Sequence, residues 1–262
     1  MSNQSEKPIG VFDSGIGGLT VVRALLERLP NENIVYFGDT GRLPYGTKSQ
    51  ETILRYSFEN AEFLIQKKIK LLVVACHTAC SFGLEKLEQK LSIPVIGVTT
   101  SAIEYVRKTF PTGRICVLGT NGTIRSRLYE KAFPKGTITS ISCQLLVYLI
   151  EEGYINHPLT EIALREYLQP LQSTPIDTLL LGCTHFPLLQ NQIEKLVRPH
   201  ISVIDPAYAC GQSVKTLLLE KKLLNPSNPP PHYEFFVSDD PEKFQALGER
   251  FLGQPLSNVK NA

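Results

Sequence analysis

Two short segments of the chain read as copies of one another, and each ends in a cysteine. Lys70–Thr78 runs Lys-Leu-Leu-Val-Val-Ala-Cys-His-Thr, and Asp177–His185 runs Asp-Thr-Leu-Leu-Leu-Gly-Cys-Thr-His. Each is an apolar strand pattern, a small residue, a cysteine and then a Thr/His pair. A thiol has a reference pKa of about 8.5, which neighbours move towards neutrality, so it can serve as acid or base at a carbon. Two thiols facing each other across one pocket would act on one carbon from opposite faces, which is the chemistry of inverting a stereocentre. Asp13 and His185 are the candidates to tune Cys76 and Cys183, one on each side. The alternative is a pair of small buried hydrophobes, the ordinary state of free cysteine and the one expected of Cys116, Cys143 and Cys210. A third reading gathers Cys76, His77, Cys80, Cys183 and His185 around a metal. The Cys76-x₃-Cys80 spacing is tolerated for structural zinc. However, there is no paired Cys-x₂-Cys, and the ligands would sit on strand–helix junctions rather than in a ribbon.

Two loops could surround such a thiol pair. Asp13-Ser14-Gly15-Ile16-Gly17-Gly18 follows an apolar run and opens a helical pattern, offering free N–H groups and a helix dipole to an anion. It is not a full dinucleotide fingerprint, and Asp13 would repel a phosphate. A small carboxylate held by N–H groups and Ser14 fits better, the alternative being a tight turn with Asp13 or Ser14 as helix cap. Gly38–Ser49 follows the second apolar run and is dense in turn residues and hydrogen-bonding side chains. Loops after the carboxyl ends of parallel strands are where ligands bind, although such a composition also suits a plain surface loop.

The elements that must position these residues follow an α/β pattern. Ile9–Phe12, Ile34–Phe37, Leu71–Ala75, Val95–Val98, Ile115–Leu118, Thr178–Leu181 and Val203–Ile204 are short apolar runs suited to buried parallel strands. Helical patterns cover Ile53–Lys67, Ser81–Leu91, Thr160–Gln169 and Leu188–Val197. The alternation predicts βαβ units with right-handed crossovers. The repeat also extends beyond the cysteines. Ile9–Gly15 lines up with Ile115–Asn121, 106 residues on; Cys76 with Cys183, 107 on; and Ile93–Gly97 with Ile201–Asp205, 108 on. Three segments in one order at nearly constant spacing predict a duplicated α/β unit with one-residue insertions absorbed in loops. The tail differs. Asn225–Pro231 has the composition of a stiff linker. His232–Val237 reads as a strand, and Ser238-Asp239-Asp240-Pro241-Glu242 as a helix start. This final unit is expected to return to the first half. The first domain then comprises residues 1–97 plus 208–262, and the second 98–207.

The net charge of +2, with no run of like charges, argues against nucleic acid or an anionic membrane as partner. The apolar runs are strand-length, so none spans a membrane. The amino-terminal MSNQSEKPIGVFD does not read as a secretory signal. Six cysteines without an export signal suggest reduced thiols and a cytoplasmic protein.

At this point the chain resembles the cofactor-independent glutamate racemases, within the wider aspartate/glutamate racemase group. The motifs that carry the resemblance are IGVFDSGIGGLTV (Ile9–Val21), YFGDTGRLPYGTKS (Tyr36–Ser49), VVACHTA (Val73–Ala79), VLGTNGTI (Val117–Ile124) and LGCTHFPLL (Leu181–Leu189), with SDDPEKF (Ser238–Phe244) in the tail. They span essentially the whole chain. The resemblance implies two similar parallel-sheet α/β domains with the active site in the cleft between them, no pyridoxal phosphate and no metal. It implies Cys76 and Cys183 as the two bases, Asp13 assisting Cys76, and His185 and Glu151 assisting Cys183, with Glu152 adjacent as a competing register. It further implies Asp13, Ser14, Tyr45, Gly46, His77, Thr78, Thr120, Thr123, Thr184 and His185 as the residues that hold glutamate. A cytoplasmic homodimer that makes D-glutamate for peptidoglycan is the corresponding expectation.

Two positions depart from the family pattern. His77 stands where the family has an asparagine that contacts substrate. A neutral imidazole also donates and accepts, but it is larger and gains charge near pH 6–7. A cationic His77 would hold a substrate carboxylate or depress Cys76. Cys80 stands where serine is common, one turn from Cys76, in a place that suits a core role. Racemisation of aspartate, hydantoin or another small acid, a Cys/His metal protein, and a catalytically silent binding protein are the competing functions.

Overall fold

A computed structural model describes residues 4–226 and 230–262. The chain order is β1 (Ile9–Asp13), α1 (Leu19–Arg28), β2 (Ile34–Gly38), α2 (Gln50–Gln66), β3 (Leu71–Val74), α3 (His77–Lys90), β4 (Val95–Gly97), α4 (Val98–Thr109), β5 (Ile115–Gly119), α5 (Asn121–Ser126), α6 (Leu128–Ala132), β6 (Ile138–Ser142), α7 (Gln144–Glu151), α8 (Pro158–Leu168), β7 (Thr178–Gly182), α9 (Gln190–Leu196), β8 (Ser202–Ile204), α10 (Pro206–Glu220), β9 (Tyr233–Val237), α11 (Pro241–Leu252) and β10 (Val259–Asn261).

The strands form two parallel sheets, ordered β10-β9-β2-β1-β3-β4 and β6-β5-β7-β8. The predicted pair of parallel-sheet α/β units is therefore present, and its symmetry is closer than the apolar runs alone indicate. Ile9 pairs with Ile34 and Leu71, as Ile115 pairs with Ile138 and Thr178. In each sheet the first strand is flanked on one side by the second and on the other by the third. The chain thus reverses its winding between β1 and β3, and again between β5 and β7, opening a crevice at their carboxyl ends. Cys76 lies two residues past the end of β3, and Cys183 one residue past β7.

β1, β2, β3, β5 and β7 are buried along their whole lengths, because helices cover both faces of each sheet. β6 (Ile-Thr-Ser-Ile-Ser) is half-buried at a sheet edge and went unpredicted, its hydroxyl residues diluting the apolar signal. The run Val95–Val98 is a strand only to Gly97. Val98 already opens α4, where the Thr100 and Ser101 hydroxyls donate to the Gly97 carbonyl at 2.9 and 3.1 Å. α3 begins at His77 rather than Ser81, with Cys76 as its cap. The pattern Leu188–Val197 resolves into a 3₁₀ turn, Phe186–Leu189, followed by α9.

The tail rejoins the first sheet as expected, β9 pairing with β2 in parallel. Asp240 caps α11 by accepting from the Lys243 N–H at 3.0 Å, with Pro241 opening the helix. Part of the predicted linker Asn225–Pro231 lies outside the described residues. At the opposite end of the first sheet, the wholly buried Lys70 ammonium bonds Glu32 at 2.5 Å and the carbonyls of Ser5 and Leu223 at 2.5 and 2.8 Å. The other Glu32 oxygen accepts the Asn225 N–H at 2.8 Å. No helix among the described residues is long and apolar enough to cross a membrane.

Candidate active site

One small pocket, with about 300 Å³ of empty space, lies between the carboxyl ends of the two sheets. The first unit contributes Ser14, Leu43, Pro44, Tyr45, Gly46, Cys76, His77 and Thr78 to its wall, and the second contributes Thr120, Val147, Cys183, Thr184 and His185. Both cysteines therefore open onto the same space, 5% and 6% exposed.

Around Cys76, the sulfur accepts the Ala79 N–H at 3.4 Å as the amino-terminal cap of α3, and its thiol donates to Ser14 Oγ at 3.5 Å. Burial pushes this thiol well up, and the charge of Asp13 adds to the shift, while the Ser14 and Ala79 contacts oppose it. Asp13 is wholly buried behind the pocket rather than in its wall. Its carboxylate accepts from the Gly15 N–H at 3.1 Å and from the Thr184 hydroxyl at 3.3 Å, so it ties the first unit to the second. Burial raises its pKa; His185 and the Gly15 and Gly18 amides pull the other way.

Around Cys183 the arrangement differs. His185 Nδ1 lies 3.8 Å from the sulfur, and Nε2 lies 2.6 Å from Glu151 Oε1. Burial alone would strip the proton from this imidazole. The contacts with Cys183 and Glu151 outweigh burial and hold its pKa well above the ordinary value, so the ring is cationic at neutral pH. Phe251 of α11 packs edge-on against it, centroids 5.5 Å apart. Glu152 turns instead towards Lys243 at 3.6 Å, so Glu151 is the carboxylate that reaches the site.

Three hydroxyls from both units cluster on the wall: Thr78 to Thr120 at 2.8 Å, Thr78 to Thr123 at 3.3 Å and Thr120 to Thr123 at 3.1 Å. Thr123 is 1% exposed and stands behind the other two. Tyr45 lines the pocket, but its hydroxyl is committed elsewhere. It donates to the buried Asp39 carboxylate and accepts from Asn60 Nδ2 at 3.0 Å. Gly17 makes the closeness of the two units possible, since a Cβ there would stand 2.4 Å from Thr184 Oγ1 and 2.6 Å from His185 Nδ1.

His77 lines the pocket with its ring hydrogen-bonded to Tyr129 of the second unit, Nδ1 to hydroxyl 2.9 Å. Burial pushes its pKa down to about 3, so the cationic His77 considered from sequence is replaced by a neutral ring. Cys80 turns its thiol away to the Val74 carbonyl at 3.2 Å, a core role. Among the described residues no three His, Cys, Asp or Glu side chains converge as metal ligands.

Leu43, Pro44 and Val147 line the pocket without having been singled out. The first two lie inside the flagged loop Gly38–Ser49. Val147 reads as an ordinary apolar residue of a helix face, and nothing in its type marks it.

The sequence profile of the family described as Asp/Glu/Hydantoin racemase matches residues 9–213. The chain is 46% identical over 257 residues to a protein named glutamate racemase from Syntrophus aciditrophicus (strain SB), covering 97% of this chain and 95% of that one. It is 44% identical over 257 residues to a glutamate racemase of Geobacter metallireducens, with the same coverage. Among solved structures, glutamate racemase from Francisella tularensis in complex with D-glutamate superposes with a TM-score of 0.92 at 38% identity, covering 98% of each chain. An aspartate racemase of Picrophilus torridus, 19% identical with a TM-score of 0.57, shares the fold.

Proposed function

The chain belongs to the Asp/Glu/hydantoin racemase family, and from that premise we propose that it interconverts L- and D-glutamate by passing protons at Cα between the thiols of Cys76 and Cys183. The enzyme is an isomerase. The observation that supports the two-thiol reading most directly is that both sulfurs open onto one small pocket, each at the winding reversal of its own sheet.

The two sides enter the reaction in unlike states. A cationic His185 lies 3.8 Å from the Cys183 sulfur and stabilises negative charge there. Burial and Asp13 keep Cys76 a protonated thiol. In one direction the Cys183 thiolate removes the Cα proton, and the C–H electron pair spreads into the substrate carboxylate. The Cys76 S–H then gives its proton to the opposite face, leaving a Cys76 thiolate and a Cys183 thiol. The Ser14 hydroxyl and the Ala79 N–H stabilise that thiolate. The reverse direction exchanges the roles. Positioned acid–base groups contribute about 10²–10⁴-fold. The rest comes from excluding water and from fixed donors around the developing charge, for which the Thr78, Thr120 and Thr184 hydroxyls and the His77 ring are placed. Asp13 and Glu151 act from behind the pocket, Asp13 on the Cys76 side and Glu151 through His185. Ser14, Tyr45, Gly46 and Thr123 complete the substrate-holding set. The same reading carries the two-domain division at residues 97 and 207, a cytoplasmic homodimer, and D-glutamate as a supply for peptidoglycan.

Racemisation of glutamate and Cα hydrogen exchange, followed together in D₂O, test this reading. Cys76→Ala and Cys183→Ala should each abolish racemisation in both directions. Near wild-type turnover in either single variant would refute the two-base assignment.

A further inference from the structure

Tyr129 belongs to α6 of the second unit, yet its hydroxyl lies 2.9 Å from Nδ1 of His77, on the first turn of α3 in the first unit. Both residues are buried, and their rings stand 6.3 Å apart, tilted by 33°. Among the described residues the Tyr129 hydroxyl has no second hydrogen-bond partner. Among the described residues no protein group bonds the other ring nitrogen of His77, Nε2, and the residue borders the pocket.

A neutral imidazole carries one ring proton, and two arrangements share it out. If Nδ1–H donates to Tyr129, the phenolic O–H is left buried without an acceptor, and Nε2 shows the pocket a bare lone pair. If Tyr129 donates to Nδ1, the ring proton resides on Nε2, and the one donor without a protein partner then belongs to the residue that borders the pocket, where water or substrate can accept it. Stranding a buried donor is the costlier choice.

We propose that Tyr129 is a positioning residue that holds His77 as the Nε2–H tautomer and so aims a hydrogen-bond donor at a carboxylate of the substrate. The inference rests on the reading of the pocket as a glutamate site. It accounts for the histidine at a position where the family has an amide: the imidazole serves as a donor only if something across the cleft takes up its other nitrogen. The second unit thereby governs a substrate contact made by the first.

The test is the ¹⁵N imidazole spectrum of the substrate-free protein at neutral pH, with the His77 signals assigned by their loss in His77→Asn. The expected spectrum shows a protonated Nε2 and an unprotonated Nδ1. Tyr129→Phe should mix the tautomers and raise the glutamate KM about tenfold, the worth of one hydrogen bond, with a smaller effect on kcat. In a His77→Asn background, Tyr129→Phe should leave KM unchanged. A proton on Nδ1, a KM within twofold of wild type in Tyr129→Phe, or an equal KM change in the His77→Asn background would each overturn the proposal. The wild-type spectrum decides even if Tyr129→Phe fails to fold. Failure of the racemase reading shows separately, as absence of Cα exchange by the wild type.

Discussion

Glu151→Gln probes the Cys183 side with little change of shape. It removes a negative charge that lies 2.6 Å from His185 Nε2, beside a ring that is 2% exposed. A hydrogen bond to a charged partner contributes about 1.5–3 kcal/mol. A pKa moves one unit for about 1.36 kcal/mol, so the imidazolium should lose its proton about one to two pH units earlier. The sign follows from the direction of the His185 shift. Its folded-state pKa is raised, so the cation's contribution to stability is fully present below the unfolded value of about 6.5 and is lost as pH rises through the folded value. In urea unfolding at pH 6, Glu151→Gln should therefore lie about 1.5–3 kcal/mol below wild type, and the gap should narrow at alkaline pH. If catalysis uses the imidazolium beside Cys183, the alkaline limb of kcat/KM should move down by the same one to two units. An unmoved limb together with unchanged stability at pH 6 would refute the argument.

Two further perturbations address closure and the scaffold. Gly17→Ala forces a methyl group to within 2.4 Å of Thr184 Oγ1, so the Thr184 and His185 side chains must shift; kcat/KM should fall about 10²-fold, and a wild-type value would show that the site tolerates their displacement. Lys70→Ala strips Glu32 of its buried cation and should cost about 3–5 kcal/mol in urea unfolding, whereas a loss below about 1 kcal/mol would mean that water reaches the vacated site.

The buried strands were legible because parallel sheets covered on both faces demand unbroken apolar runs, as in Leu71–Val74 and Thr178–Leu181. β6 escaped because three of its five residues carry hydroxyls. The duplication still pointed to it, since β2 needed a counterpart near Ile138. The start of α3 was misplaced because its cap is a thiol, Cys76, and not one of the usual oxygen-bearing residues. Most of the pocket wall was readable from motifs that fall at strand ends. Glu151 and Glu152 differ by one helical step, which spacing cannot resolve; it is Glu151 that bonds His185, while Glu152 pairs with Lys243. Tyr129 gave no signal at all, since a lone tyrosine in Arg127-Leu128-Tyr129-Glu130-Lys131 carries no motif, and its role shows only when its hydroxyl is seen across the cleft.

The return of the tail to the first sheet has a consequence for synthesis. β9 closes the outer edge of β2, and Phe251 of α11 rests against His185, yet both are made after every segment of the second unit. A chain emerging from the ribosome therefore carries β2 as an open edge throughout translation of the second unit, the kind of edge that invites pairing with other chains. The ring that packs against His185 is therefore made after both thiols. A product stopped before α11 would have both thiols but lack the ring that backs His185.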